Sequence, residues 1–328
     1  MSNVLVTGGA GYIGSHVVKM LGAEGHNVTV LDNLSKGFKE SVVHGELIVG
    51  DTGNAELISK IIKSQKIDSV MHFAASTIVP ESVSDPLKYY RNNTCNTHNL
   101  IECCIKNRVE NFIFSSTAAV YGTPIDGECT EQTPTNPINP YGTSKLMSEW
   151  MLRDACAAGE MNYTILRYFN VAGSDPEGQI GQSTVGATLL IKVAAEAAVG
   201  KREKVFVYGT DYETEDGTGI RDYIHVSDLA DAHLRALSYL RDSGESTTLN
   251  CGYGHGFSVR EVLDMVQDLA DRPIAIVDEA RREGDPPKLI ARAERIIQIL
   301  GWQPKLDDLR TIVSTSIEWE RKLLAQRQ

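Results

Sequence analysis

The chain has 328 residues, 42% hydrophobic, 23% charged and 7% aromatic, a globular composition that excludes a disordered, collagen-like or low-complexity protein. Its 32 Lys and Arg against 43 Asp and Glu leave a formal charge of −11, which argues against nucleic-acid and membrane-surface partners, since phosphate backbones and anionic headgroups would be repelled. The six cysteines (Cys95, Cys103, Cys104, Cys129, Cys156 and Cys251) form neither a C-x-x-C pair nor a disulfide framework, so reduced thiols and a cytoplasmic setting are expected. Residues 1–6 lack a basic n-region and run directly into a fold motif, so no signal peptide is expected. The longest apolar stretch, 187–199, is broken by Lys192 and Glu196 and is too short to span a bilayer.

The first half alternates short β-branched runs with amphipathic stretches of helical length, the pattern of parallel βαβ units. Residues 4–7 read as a buried strand, glycines follow, and a helix is expected near 13–22. Residues 27–31, 46–49 and 69–73 read as strands, with a helix over 55–65. Long helices are expected over 87–106 and 141–158, flanking a strand at 111–114, and 163–167 is another strand. Six parallel strands with crossover helices predict an α/β fold built on a doubly wound Rossmann sheet. Beyond Asn170 the chain turns to glycine-rich loops and shorter elements. Residues 224–226, a helix over 228–239 and residues 248–250 return to sheet-domain character, whereas 258–270 and 307–323 read as helices of a smaller domain. The expected division is therefore interleaved: 1–170 with about 222–250 for a dinucleotide, and about 171–221 with 251–328 as an α/β substrate-binding domain.

Thr7-Gly8-Gly9-Ala10-Gly11-Tyr12-Ile13-Gly14 stands between the first strand and the first helix. At this spacing Gly8 permits a tight turn and Gly11 lets the backbone approach a pyrophosphate. Gly14 lets helix and strand pack closely, with the helix N-terminus facing the anion. Asp32, at the end of the second strand, is placed to accept hydrogen bonds from the adenosine ribose; its charge would repel a 2′-phosphate, so NAD is expected over NADP. Asp51, after the third strand, is a candidate adenine contact. Tyr141 and Lys145 share one face of the predicted helix. A phenol, with a reference pKa of about 10, serves as a base at neutral pH only beside a positive charge, which a lysine or an oxidised nicotinamide supplies. Ser115-Ser116-Thr117 offers hydroxyls at a strand end to orient a substrate alcohol or relay its proton. The acidic run 211–217 mimics a calcium loop, but Asp216 stands where the sharp-turn glycine belongs and Asp222 where a bidentate Glu belongs. His16, His72, His98 and His225 lack paired ligand spacing, and no metal is expected.

In these motifs the chain resembles the extended short-chain dehydrogenases/reductases and, within them, the UDP-glucose 4-epimerases. The resemblance runs nearly full length, through residues 7–16, Asp32-Asn33-Leu34-Ser35, His72-Phe73-Ala74-Ala75, Glu81-Ser82-Val83, Tyr90-Arg91-Asn92-Asn93, residues 115–122 and Asn139-Pro140-Tyr141. It continues through Arg167-Tyr168-Phe169-Asn170, residues 212–226, Arg281-Arg282-Glu283-Gly284-Asp285 and Leu300-Gly301-Trp302. It implies interconversion of UDP-galactose and UDP-glucose with tightly held NAD. Tyr141 would be the base at the sugar 4-hydroxyl, Thr117 the hydrogen-bond partner of the 4-oxygen, and Lys145 the charge beside Tyr141. It implies further NAD contacts from Tyr12, Ile13, Asn33, Ser35, Thr52, Phe73, Ala74, Ala75, Asn92, Ser115 and Tyr168. Substrate contacts are implied for Asn170, Leu190, Tyr223 and Asp285, with Arg221 and Arg282 as forked donors to a diphosphate. A homodimer is implied, pairing the apolar faces of the 94–106 and 141–157 helices, although such faces equally fit an intramolecular core.

Three positions depart from the family pattern. Thr77 stands where many members carry lysine near the cofactor pyrophosphate, Leu189 precedes Leu190 where a polar residue is often found, and Leu289 stands at the position that aligns with the family's sugar-pocket gate, where other members have Tyr or a small residue. Epimerases of N-acetylated or pentose UDP-sugars are the nearest alternative. A 4,6-dehydratase would carry an acid beside the strand-end hydroxyl, where Ala118 and Ala119 stand. A non-catalytic NAD-binding protein would be expected to have lost Tyr141 or Lys145.

Overall fold

The computed structural model describes residues 1–282 and 285–326; Glu283 and Gly284 of the 281–285 run lie outside them. In chain order, β1 (Asn3–Thr7), α1 (Tyr12–Ala23), β2 (Asn27–Asp32), β3 (Glu46–Val49), α2 (Ala55–Gln65) and β4 (Ser69–His72) open the fold. There follow α3 (Val79–Ser84), α4 (Pro86–Tyr89), a π-helical turn (Tyr90–Cys95), α5 (Asn96–Lys106), β5 (Asn111–Thr117), the two-residue β6 (Glu128–Cys129), α6 (Pro140–Ala157), β7 (Asn162–Tyr168) and β8 (Asn170–Ala172). The remainder comprises α7 (Leu190–Ala198), β9 (Lys204–Tyr208), β10 (Ile220–Arg221), β11 (Tyr223–His225), α8 (Val226–Ser243) and β12 (Thr247–Cys251). It closes with β13 (Phe257–Ser258), α9 (Val259–Leu269), β14 (Ala275–Glu279), β15 (Lys288–Ala291), α10 (Glu294–Leu300) and α11 (Leu309–Ala325).

Seven strands form one parallel sheet in the order β12-β7-β5-β4-β1-β2-β3. The chain winds outward from β1 to β3, then crosses back to β4 and winds the other way, so the switch point lies between β1 and β4. In such sheets the crevice beyond the strands' carboxyl ends at this point is where ligands bind. The period-2 alternation of strand side chains sends Val4 and Val6 into a core with Val17, Leu21 and Leu229 and sends Leu5 into a second core with Ile58, Leu100 and Phe112. A third core lies under α7, α9 and α11 around Ala194, Val262 and Ile312.

Six strands were predicted for the sheet; β12, which contains the 248–250 run, is the seventh. Ile224 and His225 do not join it. They lie in β11, which pairs with β8 in a separate parallel two-stranded sheet, and only the following helix α8 packs on the main sheet. The predicted 87–106 helix is broken by the π turn. The Asn93 carbonyl there accepts bonds from the hydroxyls of Thr97 (2.5 Å) and Ser148 (3.1 Å), and its amide is held by Ser76 and Ser144, which accounts for the widened turn. Also outside the predicted elements are α3, α7, α10 and the short strands β6, β8, β9, β10, β13, β14 and β15.

Candidate functional site

The cofactor side of the site follows from the glycines. Gly8 has φ of +73°, and a Cβ there would stand 2.5 Å from the Ala74 nitrogen, so only glycine lets β1 turn this tightly against the end of β4. A Cβ on Gly14 would meet the Gly9 Cα at 2.9 Å, whereas one on Gly11 would meet only the Gly8 carbonyl, at 3.2 Å, and otherwise fill open space. Helix α1 starts at Tyr12 with no side-chain cap, leaving the first N–H groups, those of Tyr12, Ile13 and Gly14, as free donors at the positive end of the helix dipole. This cradle fits a pyrophosphate. The Tyr12 phenol does not face it: its hydroxyl donates to the Gly173 carbonyl at 2.6 Å, so a cofactor contact from Tyr12 would come from its backbone.

Asp32 sits at the end of β2, 7% exposed, and accepts the Ala10 N–H (3.0 Å) and the Leu34 N–H (2.8 Å). The carboxylate therefore shapes the glycine turn and the following loop, and each oxygen keeps a lone pair for a ribose hydroxyl. Burial raises its pKa, and the two backbone N–H groups oppose that rise. Asn33 donates to Asp51 at 2.8 Å and accepts the Ser35 N–H at 3.0 Å, while Thr52 is buried next to Asp51. Phe73, Ala74 and Ala75 continue from β4, with the Phe73 N–H bonded to the Thr7 carbonyl at 2.9 Å. Asn92 reaches the Ser76 hydroxyl at 3.1 Å, and the hydroxyls of Ser115 and Tyr168 bond each other. Thr77 is exposed in the segment leading to α3.

Asn139 caps α6 by accepting the Gly142 N–H at 2.9 Å, and Pro140 presets the first helical φ, so Tyr141 and Lys145 fall one turn apart. Thr117 ends β5 in register with Tyr168. Burial raises the Tyr141 phenol above its usual value, and hydrogen bonding with Thr117 works against the rise. Lys145, 3% exposed with its Nζ 4.4 Å from the Phe114 ring centre, is pushed down to about 7 by burial, opposed by the Glu149 carboxylate. A phenol, a lysine amine and a threonine hydroxyl thus converge near the carboxyl ends of β5 and β7.

The other side is built from β10, β11, β15 and α7. Asn170 and Tyr223 are register partners. Arg221 donates to Asp285 at 2.9 Å and is the register partner of Leu289, a half-buried side chain packed on the Ala118, Phe169 and Ala291 cluster. Arg282 stacks on Tyr208, 3.8 Å from the ring centre. Leu190 opens α7, whose N-terminus has no side-chain cap because Leu189 precedes it. Glu149, Gly142 and Tyr208, which contact or adjoin Lys145, Tyr141 and Arg282, were missed. The first lies four residues beyond Lys145 on the same helical face, a spacing visible in the sequence. A cavity of about 580 Å³ at the opposite, amino-terminal edge of the sheet is lined by His26, His44 and Lys66 and by none of these residues. No described helix is long and apolar enough to cross a membrane, and among the described residues no three His, Cys, Asp or Glu side chains group to hold a metal.

Residues 4–252 match the NAD dependent epimerase/dehydratase family. A UDP-glucose 4-epimerase of Azospirillum brasilense is 53% identical over 98% of this chain and 92% of its own length. The structure of a UDP-glucose 4-epimerase from Brucella ovis in complex with NAD superposes with a TM-score of 0.95 at 43% identity, covering 98% of this chain and 99% of that one. A UDP-Glc/GlcNAc 4-epimerase from Campylobacter jejuni superposes with a TM-score of 0.86 at 48% identity, covering 97% and 99%.

Proposed function

This chain belongs to the NAD dependent epimerase/dehydratase family, and we propose that it is an NAD-dependent isomerase that interconverts UDP-glucose and UDP-galactose at C4 of the sugar. The observation that carries this reading is the convergence of Tyr141, Lys145 and Thr117 beside an uncapped glycine turn at the switch point of the sheet. Thr117 orients the sugar 4-oxygen. Tyr141 takes the 4-hydroxyl proton and returns it when the opposite face has been reached. Lys145, charged, lowers the free energy of the phenolate. NAD, when bound, accepts the C4 hydride and gives it back to the other face of the 4-keto sugar. The glycine-turn amides and α1 would hold its pyrophosphate and Asp32 its ribose, while Asp51, Asn33 and Ser35 would border the adenosine. Arg221, Arg282 and the α7 N-terminus would bind the UDP diphosphate, with Asp285 at the uridine ribose, Asn170 and Tyr223 completing the pocket and Leu289 beside the sugar. Elimination is disfavoured because Ala118 and Ala119 put no acid beside Thr117.

The test is purified protein given UDP-galactose or UDP-glucose with no added cofactor, followed by product analysis. Interconversion is expected, with kcat lowered at least ~10²-fold by Tyr141→Phe, the usual scale of general-base catalysis. No interconversion by the parent, or near-parent turnover by Tyr141→Phe, would overturn the assignment.

A separate core under α7, α9 and α11 supports an interleaved domain division, but Ala293, Ile296, Leu300 and Trp302 of the 251–328 stretch pack into the core of the seven-stranded sheet, so α10 sits with the dinucleotide side. For the homodimer, most apolar side chains of the two helices, such as Leu100, Ile101, Leu152 and Cys156, face the intramolecular core. Ile105, Met147 and Trp150 remain exposed and would supply the contact between copies. Sedimentation at dimer mass, reduced to monomer mass by Trp150→Glu, is expected, and a monomeric parent would refute it. Reduced cysteines support a cytoplasmic location.

A further inference from the structure

We propose that Glu149 is a positioning residue for the reaction inferred above. One buried carboxylate joins the strand end that carries Thr117 and the strand that carries Tyr168 to the helix that carries Tyr141 and Lys145. The inference rests on that functional reading.

Glu149 is fully buried in α6, one turn beyond Lys145 and two beyond Tyr141. Its Oε1 accepts the Ser116 hydroxyl at 2.6 Å and Arg167 Nε at 2.9 Å. Its Oε2 accepts Arg167 Nη2 at 2.5 Å and Arg153 Nη2 at 3.0 Å. Ser116 lies between Ser115 and Thr117 and points to the other face of β5, so the grip on it fixes the strand end without occupying the site. Arg167 precedes Tyr168 and carries the network on. Its Nη1 donates to the Tyr121 hydroxyl at 3.0 Å, which donates to Asn250 Oδ1 at 2.6 Å, and Asn250 donates to the Cys129 carbonyl at 2.8 Å. Four elements, β5, α6, β7 and β12, are thereby tied together by one hydrogen-bond network.

Stability alone is a poor account of this arrangement. Replacing a buried ion pair by well-packed apolar groups is often neutral or stabilising, so its presence points to geometry and charge. Bidentate arginine–carboxylate pairing fixes orientation as well as distance. Lys145 is faced by Tyr141 and Glu149 of its own helix, by the Phe114 ring of β5 and by His72 of β4, whose imidazole burial holds down at about 3 and therefore neutral. Among these, Glu149 carries the negative charge that favours an ammonium at Lys145. Glu149 is itself faced by Ser116, Arg153, Arg167 and the Tyr163 phenol. Removing the carboxylate should discharge Lys145 at lower pH, raise the free energy of the Tyr141 phenolate and move the pH at which Tyr141 becomes a base upward.

The experiment compares the NAD-loaded parent with Glu149→Gln and Glu149→Asp. For Glu149→Gln, the acid limb of the kcat–pH profile should move up by about one pH unit and kcat at neutral pH should fall about tenfold, with KM for the UDP-sugar within about twofold. Glu149→Asp keeps the charge, so its acid limb should return towards the parent position. The Tyr141 phenolate, read as the absorbance difference against the same protein carrying Tyr141→Phe, should titrate about one unit higher in Glu149→Gln. That optical shift does not depend on epimerisation, so a parent inactive on UDP-sugars that still shows it loses the functional reading and keeps the Glu149 clamp. A folded Glu149→Gln with the parent's kcat and phenolate titration overturns the proposal. If Glu149→Gln does not fold, Ser116→Ala decides: it removes one donor and leaves the charge, and kcat should fall several-fold with an unmoved acid limb. Parent kcat in Ser116→Ala then overturns the proposal.

Discussion

Replacing Gly142 with alanine should slow turnover while leaving substrate binding nearly intact. Gly142 is the second residue after Pro140 in α6, between Tyr141 and Lys145, and the helix passes so close to the β5 end that a Cβ would stand 2.6 Å from the Ala119 carbonyl oxygen and 2.9 Å from Pro137 Cβ. The first neighbour is backbone and cannot rotate away. Ordinary contact begins at 3.4 Å, so helix and strand end must part by about 0.8 Å. Displacements near 1 Å at a reacting centre cost on the order of 10² in rate, which places the expected kcat loss at about 10- to 100-fold. Overpacking costs ~1–3 kcal/mol, but alanine is about 1 kcal/mol better than glycine within a helix, so the melting temperature should fall by only a few degrees. The assay is steady-state epimerisation of UDP-galactose with coupled detection of UDP-glucose, alongside a thermal melt. A folded Gly142→Ala protein with kcat within about twofold of the parent would refute the claim that this approach sets the Tyr141–Thr117 geometry.

Asp32→Ala should weaken NAD retention about 10- to 100-fold, since it removes a buried acceptor and leaves the Ala10 and Leu34 N–H groups unpaired; tighter binding of NADP than NAD by the parent would sink the cofactor assignment. Leu289, half-buried beside Arg221, offers no partner to an acetamide, whose unpaired burial costs ~1–3 kcal/mol. UDP-N-acetylglucosamine should therefore be poorer than UDP-glucose by tenfold or more in kcat/KM, a gap that Leu289→Ser narrows. Equal kcat/KM in the parent refutes the selectivity, and an unchanged ratio in Leu289→Ser removes Leu289 from the gate. Burial holds His72 at about 3 and His16, His225 and His233 at about 4, so below pH ~6.5 the unfolded chain takes up protons that the native one does not. Stability to urea should fall as pH drops from about 6.5 towards 4, by roughly 1.4 kcal/mol per unit for each histidine, with Asp222, raised to about 6, offsetting one of them. Equal stability at the two ends of that window would contradict it.

What was legible in the sequence is what depends on local pattern. The buried apolar run of β1, the glycine spacing, Asp32 at the end of β2 and the one-turn offset of Tyr141 and Lys145 are properties of a few neighbouring residues. The cap that starts α6, Asn139 followed by Pro140, is equally local but was not read, the helix being expected from Tyr141. Strands of two residues such as β6, β10 and β13 have too few side chains for an alternation to register, and β11 pairs with β8 rather than the main sheet for reasons that lie in neither segment. The π turn is likewise invisible locally, because apart from Thr97 the groups that draw on Asn93 come from Ser76, Ser144 and Ser148. Gly142 and Glu149 were in view as letters, but their meaning depends on how near α6 lies to β5.

Tyr12 shows why a motif residue can be placed correctly while its side chain does something else. Its position at the start of α1 suits a backbone donor to a pyrophosphate, yet its phenol holds the Gly173 carbonyl at 2.6 Å. Lys19, two turns further along α1, binds Asp175 at 2.7 Å and Glu177 at 2.8 Å. From the other side, the Gly173 and Ser174 N–H groups donate to Ser316 (3.1 Å) and Thr315 (3.2 Å) of α11. The first and last long helices of the chain therefore grip the same short segment, which leads from β8 towards the α7 residues of the substrate side. On the proposed reading, a cofactor cradle on α1 and a sugar-nucleotide pocket at α7 would need a fixed separation for C4 to present each of its faces to one hydride carrier. The 173–177 segment would supply that separation, through contacts spanning more than 140 positions in sequence that no motif announces.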